Sequence, residues 1–447
     1  MPTVKFAEQD LTSFGGLVIF QAFFNRIAFA ESLKNLCAPL SKRLSRQHNH
    51  GTVLFCVILH LLLGYRKLRD LDFYSDDPMV KNTLKLKTLP SVPTISRALG
   101  DFDRPTIDQI HNFVGEMVTK RLKEENLKRV TIDFDGSVQS TSRHAEGTAV
   151  GFNKKKKGQR SYYPLFATIA QTGQIIRFRH RAGNVHDSNG AALFITECVQ
   201  MVRKVLPKAI IEVRTDSAFF SQEMILCFQD LSVEYTISVP FERLTELKGM
   251  VEARKWWQST KTEKGKKIGF FEKRWKPKSW KAKCRFILVR TPVKKQCKGP
   301  LQLDLFEPVD ENFEYKVIIT NKKQGAAHLV SFHEGRGTQE KIFGEAKNQV
   351  AMDYIPCRKR VANETYLLCS VLAHNLGREL QMTCAKPTRK VTAQRQPLWI
   401  FEELSSLRNK VIRTAGRLTR PQGQLTLTMV KNATLRREIT GMLTALG

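Results

Sequence analysis

The sequence predicts an α/β protein, with a mixed sheet flanked by helices and a helical region ahead of it. Three observations predict this. Apolar positions recur every three and four residues over 12–125, the period of packed helices. From 128 the pattern changes to alternation, and strand-like and helix-like segments then follow one another. A basic, tryptophan-rich stretch interrupts that run before strand character returns.

Taken in order, LVIFQAFFNRIAFAESLKNL and TIDQIHNFVGEMVTKRL read as helices. Between them LPSVPTISRALGDF predicts a short helix that starts at Thr94 and carries Arg97. Such a helix either enters a DNA groove or packs like any other. LKRVTIDFDGSV then alternates as a strand, with Val130, Ile132 and Phe134 on one face and Asp133 and Asp135 on the other. YYPLFATIAQTGQIIRFRHRAG predicts a hairpin that turns at Thr172-Gly173. NGAALFITECVQMVRKVL reads as a helix, AIIEVRTDSAFF as an apolar strand ending at Asp216, SQEMILCFQDL as a helix and EYTISVPF as a strand. Between Glu246 and Lys298 there are 18 Lys and Arg against 4 Glu, which concentrates nearly half of the chain's net charge in an eighth of its length. The same stretch holds Trp256, Trp257, Trp275 and Trp280. FEYKVIITN returns to strand character, and a helix is expected from about Gly337. The division expected is a helical N-terminal region over 1–127, an α/β core formed by 128–244 and 322–385, an insertion at 245–321, and a basic, partly helical region at 386–447.

Composition narrows the partners. With 447 residues, 42% of them hydrophobic, the chain can bury a large core. Its 73 Lys and Arg against 42 Asp and Glu give a formal charge of +31, which calls for a polyanion, nucleic acid being the usual one. A membrane is not expected. The longest apolar run, VLFCVILHLLL at 53–63, is too short to span a bilayer and contains His60, and no amphipathic anchor stands out. The first residues, MPTVKFAEQDL, lack a signal-peptide pattern, and nine scattered cysteines without a CxxC pair fit reduced thiols in the cytoplasm. No zinc spacing is present.

Three acids stand out by position: Asp135, Asp216 and Glu340. The first two lie where strands end, the edge at which open α/β sheets place their sites. Either also suits a purely local role, Asp135 in a turn before Gly136 and Asp216 as an N-cap. Asp133 shares a face with Asp135 but lies earlier on its strand, and ranks second. On the helix, Arg336, Glu340 and Lys347 project within about 40° of one another, while Glu345 points away. That stripe is either a salt-bridged surface or a site in which bases flank an acid. Three carboxylates suit two Mg²⁺ ions, hard cations that take oxygen ligands.

The spacing His333, two residues, Arg336, three residues, Glu340, six residues, Lys347 resembles the Tyr-Arg-Glu-Lys signature of bacterial insertion-sequence transposases of the cut-and-paste DDE type. IDFDGS, KGQRSYYPL, RAGNVHDSNGA and VRTDSAFF are similar, in order, to that family's strands, and the resemblance covers roughly 128–385. It implies an RNase H-like core with a mostly β insertion. Asp135, Asp216 and Glu340 would be the catalytic metal ligands, for two Mg²⁺ ions with Mn²⁺ able to substitute. Arg336 and Lys347 would contact DNA phosphates, as would His333, which stands where the family has Tyr. The four tryptophans would be available to stack on a flipped base. The implied protein binds terminal inverted repeats, cleaves transposon ends and joins the 3′-hydroxyls to target DNA. It would act as a homodimer on double-stranded DNA, in a bacterial cytoplasm and on the nucleoid when bound. The rival expectations are a related metal-dependent nuclease that does not join ends, and a domesticated or decayed DNA-binding protein without catalysis.

Overall fold

The computed structural model describes residues 2–4, 9–41, 48–151, 153, 156–263, 265–292, 313–385 and 399–447. The longer helices of the N-terminal part are α1 (Leu17–Arg26), α2 (Phe29–Leu36), α3 (His50–Leu62), α4 (Pro78–Leu84), α5 (Val92–Leu99) and α6 (Arg104–Glu124). The chain breaks between α1 and α2 at Ala28, which takes a left-handed conformation. Helices α3 to α6 each begin on an Asn, Asp or Ser whose side chain accepts a backbone N–H of the first turn. For α5 this corrects the expected start at Thr94. The cap is Ser91, whose Oγ accepts the Thr94 N–H, and Pro93 fits the first turn because no helical hydrogen bond is lost there.

A nine-stranded mixed sheet follows: β1 (Arg129–Gly136), β2 (Leu165–Ile169), β3 (Ile175–Arg179), β4 (Ile210–Thr215), β5 (Glu234–Ser238), β6 (Gln258–Lys261), β7 (Lys267–Trp275), β8 (Cys284–Pro292) and β9 (Phe313–Thr320). Their spatial order is β6-β7-β8-β9-β5-β4-β1-β2-β3. Strand β4 runs parallel to β1 and to β5, and every other pairing is antiparallel. The turn between β2 and β3 contains Gly173 at φ +61°, a conformation that favours glycine. Strands β6 to β9 form a meander that extends the same sheet from the β5 edge. The helices after β3 are α7 (Ala191–Val205), α8 (Gln222–Asp230), α9 (Thr245–Glu252), α10 (Ala326–Glu334), α11 (Gly337–Val350), α12 (Arg360–Cys384) and α13 (Ala433–Leu446).

The sheet separates two apolar cores. Val130, Ile132 and Phe134 of β1 face α7 and α8, with Phe134 edge-on to Phe194 at 5.9 Å. On the opposite face Phe166 and Phe178 join α11, α12 and the N-terminal helices in one continuous core. Strand β1 is therefore covered on both sides, and the face that carries Asp133 is as dry as the apolar one. A smaller cluster packs Leu329 and Val330 of α10 on Ile287 and Ile318 of the meander.

The last described segment closes the N-terminal core. Arg408 is buried and donates to the carbonyls of Leu61 and Leu62 at the C-terminal end of α3. It also donates to the Gln349 carbonyl of α11. A short hairpin of Gly416–Thr419 and Thr426–Met429 pairs with Leu11–Thr12. Residues 386–398 of the expected basic C-terminal region lie outside the described residues. Among the described residues eight cysteines are free, and no helix is long and apolar enough to cross a membrane.

A buried polar cluster joins α6, the end of β3 and α12. His180 and His111 lie beside Glu364, which also takes Arg104 at 3.0 Å. Burial lowers His180 from its ordinary 6.5 to about 4. Burial works to raise Glu364, but His111, His180 and Arg104 together bring it down to about 2. The unfolded chain thus binds more protons than the native one as the pH falls from 6.5. Stability contributed by neutral His180 is complete above 6.5 and lost on approaching 4, a loss of about 3 kcal/mol. Glu364 adds to the loss at still lower pH. Melting temperatures across this range should fall with pH, and His180→Gln should flatten the upper part of the profile. An identical profile in the variant would exclude His180 as a source.

Candidate active site

The register of the two central strands brings the first two acids together. Strands β1 and β4 are parallel, with Phe134 opposite Thr215, so Asp135 and Asp216 come next on both strands at the same edge of the sheet. Each carboxylate is also oriented locally. Asp135 Oδ1 accepts the Gly136 N–H at 2.8 Å, and Asp216 Oδ1 accepts the Ala218 N–H at 2.9 Å as the cap of a short 3₁₀ turn. The turn and cap readings of these residues are therefore compatible with a shared site. Burial, followed by the charge of Asp216, pushes Asp135 from its ordinary value of 3.8 up to about 7, against the pull of Arg336. Burial raises Asp216 as well. The two acids thus resist being ionised together.

Helix α11 aims its N-terminal end at this edge. Arg336, its N-cap residue, donates from Nη1 to Asp135 Oδ2 at 3.1 Å. Gln339 donates to the Asp133 carbonyl at 3.0 Å, and the Phe343 ring packs on Phe166 of β2 at 5.2 Å. Arg336 and Phe343 therefore face the sheet, while Glu340 of the same stripe is exposed. Glu345 points away from it and pairs with Arg378 of α12. Glu340 lies one turn beyond Arg336, exposed, with no polar partner among the described residues. Lys347 is half-buried further along, its carbonyl held by Arg66 at 3.2 Å. The structure thus unites Asp135, Asp216 and Arg336 and leaves Glu340 at the rim. Among the described residues no three His, Cys, Asp or Glu side chains are grouped closely enough to hold a metal ion.

Two expected residues sit differently from the expectation. Asp133 is fully buried and makes a two-pronged ion pair with Arg214 of β4, at 2.6 and 2.7 Å. Arg214 also donates to the Phe332 carbonyl at 2.8 Å, which ties both strands to the end of α10. A Cβ at Gly335 would lie 2.2 Å from that guanidinium, so the tight passage from α10 to α11 requires glycine. His333 corrects the phosphate-contact reading of that position. Its ring is buried, with Nε2 bonded to Ser238 at 2.7 Å and Nδ1 to Thr236 at 2.9 Å, leaving no nitrogen for a ligand. Burial, then Arg336 and Arg214, lowers it to about 3, so it stays neutral.

Sequence reasoning missed Asp187. It is buried beside the acid pair, held by Arg181 at 2.8 Å and by the Tyr163 hydroxyl at 2.7 Å. A Cβ at Gly136 would come within 2.6 Å of the Asp187 carboxylate and the Tyr163 hydroxyl, so glycine there lets them approach the end of β1. The only available signal was its place in RAGNVHDSNGA, since nothing in the local pattern distinguishes it from a loop acid. The tryptophans divide. Trp257 and Trp280 are buried, against Phe271 and Phe220, while Trp275 is partly buried and bonds Glu246. Trp256 is 83% exposed. The meander also reaches the site, as Thr291 and Lys316 line a cavity of about 290 Å³ with Arg336 and His333.

The family model described as Transposase DDE domain group 1 matches residues 3–447. The chain belongs to the DDE transposase family. Among solved structures this DDE transposase is similar to piggyBac transposase in a synaptic complex with hairpin DNA. The identity is 12%, over 91% of this chain and 83% of that one, with a TM-score of 0.44. It is also similar to Mos1 transposase in a paired-end complex with the left transposon end, at 12% identity over 38% of this chain and 56% of that one, TM-score 0.18. A Mos1 mariner paired-end complex with Mn gives 10% identity over the same shares, TM-score 0.17. No curated protein matches.

The Asp133–Arg214 pair yields a test. Asp133→Asn strands a buried guanidinium and should destabilise the transposase by ~3 kcal/mol or more, read from the denaturant midpoint. Asp135→Asn should stay within about 1 kcal/mol of wild type. Equal midpoints for the two variants would show that Asp133 is not a structural residue.

Proposed function

We propose that this DDE transposase binds terminal inverted repeats, cleaves the transposon ends by phosphodiester hydrolysis and joins the 3′-hydroxyls to target DNA. The observation that carries the proposal is the placing of Asp135 and Asp216 side by side at the ends of two parallel strands, with Arg336 against them. In this reading Asp135, Asp216 and Glu340 are the metal ligands, for two Mg²⁺ ions or Mn²⁺ in their place. The donor set fits such ions. It consists of carboxylate oxygens, two of them raised by burial and Asp135 further by its neighbour's charge, a penalty that a divalent cation would relieve. Bound there, the metal would activate the attacking water or 3′-hydroxyl and stabilise the leaving oxygen.

The protein's own groups supply the rest. Arg336 compensates Asp135 in the free protein and can turn to a DNA phosphate once a cation takes over that charge. Glu340, unpaired at the rim, closes the ligand set by a change of its own side chain or of the first turn of α11. Lys347 holds a flanking phosphate from the same stripe. Trp256, being exposed, is the tryptophan best suited to stack on an unpaired base; Trp257 and Trp280 serve the meander's core. The resemblance to the bacterial Tyr-Arg-Glu-Lys type supports an RNase H-like core over 128–244 and 322–385. With it go the insertion at 245–321 and helical DNA-binding residues over 1–127. Two ends acted on together call for a homodimer.

The experiment is cleavage of labelled element ends, taken from the DNA flanking the gene, in Mg²⁺, Mn²⁺ or EDTA. Metal-dependent nicking by wild type, absent in Glu340→Gln although that variant still binds DNA, is the expected outcome. Cleavage retained by the variant would remove Glu340 from the site, and binding without cleavage in every metal would favour a DNA-binding protein that has lost catalysis. Lys347→Ala should reduce the salt dependence of binding to a cut end by about one charge; an unaltered slope would exclude its phosphate role.

A further inference from the structure

A large cleft lies apart from the acid pair, with neither Asp135 nor Asp216 in its lining. It encloses about 980 Å³ between three segments far apart in sequence: α5, the loop at 141–145, and residues 355–359 ahead of α12. Arg97, Arg143, Arg358 and Lys359 line it, all exposed. None of the four has a carboxylate partner among the described residues. Other arginines of the chain are neutralised by acids, as in Arg66–Asp353, Arg104–Glu364, Arg121–Glu379, Arg181–Asp187 and Arg214–Asp133. The one acid in the lining, Asp101, lies 3.4 Å from His50. The walls are tied together. The Glu146 N–H donates to the Arg358 carbonyl at 2.8 Å, Glu146 accepts the Arg360 N–H at 3.0 Å, and Ser96 meets Cys357. The stem of Lys359 lies over Gly100 at the end of α5.

Four uncompensated cations held in one fixed cleft repel each other, and a polyanion relieves that repulsion. The cleft also lies close to the acids along the chain. Strand β1 carries Asp135 at its end, and Arg143 follows eight residues later. Eight residues reach at most roughly 28 Å, or about eight base pairs of duplex at ~3.4 Å each.

We propose that this cleft is a phosphate-backbone track that holds the duplex within about eight base pairs of the bond the acids cut, with Arg97, Arg143 and Arg358 on phosphates. The track reads no base sequence, because contacts to phosphates position the duplex without carrying sequence information. The inference rests on the transposase reading above, since it takes DNA as the substrate. It gives α5 a backbone role within a composite wall, distinct from that of a recognition helix inserted into a groove.

The test is fluorescence anisotropy of a labelled duplex, comprising an element end and its flank, over a range of NaCl concentrations. Full-length wild type is compared with the triple variant Arg97→Ala, Arg143→Ala, Arg358→Ala. The slope of log affinity against log salt should fall by roughly 3, equally for element-end and scrambled duplex, and the Arg→Lys triple variant should restore it. Hydroxyl-radical protection should disappear within about eight base pairs of the cleaved bond, with protection elsewhere intact. Wild type that binds no duplex overturns the transposase reading and the track with it. Normal wild-type binding with an unchanged slope in the alanine variant overturns the track alone, as would be seen if the cleft received an acidic protein segment instead.

Discussion

The Asp133–Arg214 ion pair is the constraint on which the rest of the architecture depends. It joins the two parallel strands that end in Asp135 and Asp216, and through the Phe332 carbonyl it fixes the end of α10. That fixes the start of α11, and hence where Arg336 and Glu340 stand. A buried pair of this kind contributes little net stability relative to apolar packing, but it is costly to leave half-made. Its value here is positional. Two bonds from a rigid guanidinium set the angle between a strand pair and a helix pair, which apolar contacts alone define less sharply.

Much of this was legible in the sequence because it is local. The hairpin at Thr172-Gly173, the helix over 189–206 and the acids at the strand ends follow from periodicity and turn chemistry. The N-cap of α5 is Ser91 and not Thr94, because Pro93 is accommodated in the first turn. The errors that matter are non-local. Nothing in IDFDGS reveals that β1 lies inside a nine-stranded sheet, where even its polar face is covered and Asp133 needs a partner 81 residues away. Nothing near His333 announces Ser238 and Thr236, almost a hundred residues earlier, as the groups that fill its two nitrogens. Asp187 joined the site for the same reason, through a loop whose course depends on Arg181 and Tyr163.

Charge is distributed to suit two purposes. Where arginine is buried or half-buried it is spent on structure: Arg408 on helix carbonyls, Arg378 on Glu345, Arg129 on Glu212. The excess that remains is exposed and is gathered in more than one place. The meander contributes Lys316 beside Arg336, and the α5 cleft contributes a second group. A chain with a formal charge of +31 is then less a uniformly basic surface than a folded core with its positive charge left where an extended anion would pass.

The shared core beneath α11, α12 and the N-terminal helices sets a limit on how such a protein can diversify. Helix α5 contributes Ile95, Ala98 and Leu99 to the same apolar mass as Phe343 and Val350 of α11. The elements that would meet DNA first and the helix that carries the third acid are one packed solid. Among the described residues no linker separates α5 from α11 within this core. Changes in how DNA is held would have to be made by substitution on exposed faces, with the buried faces held constant.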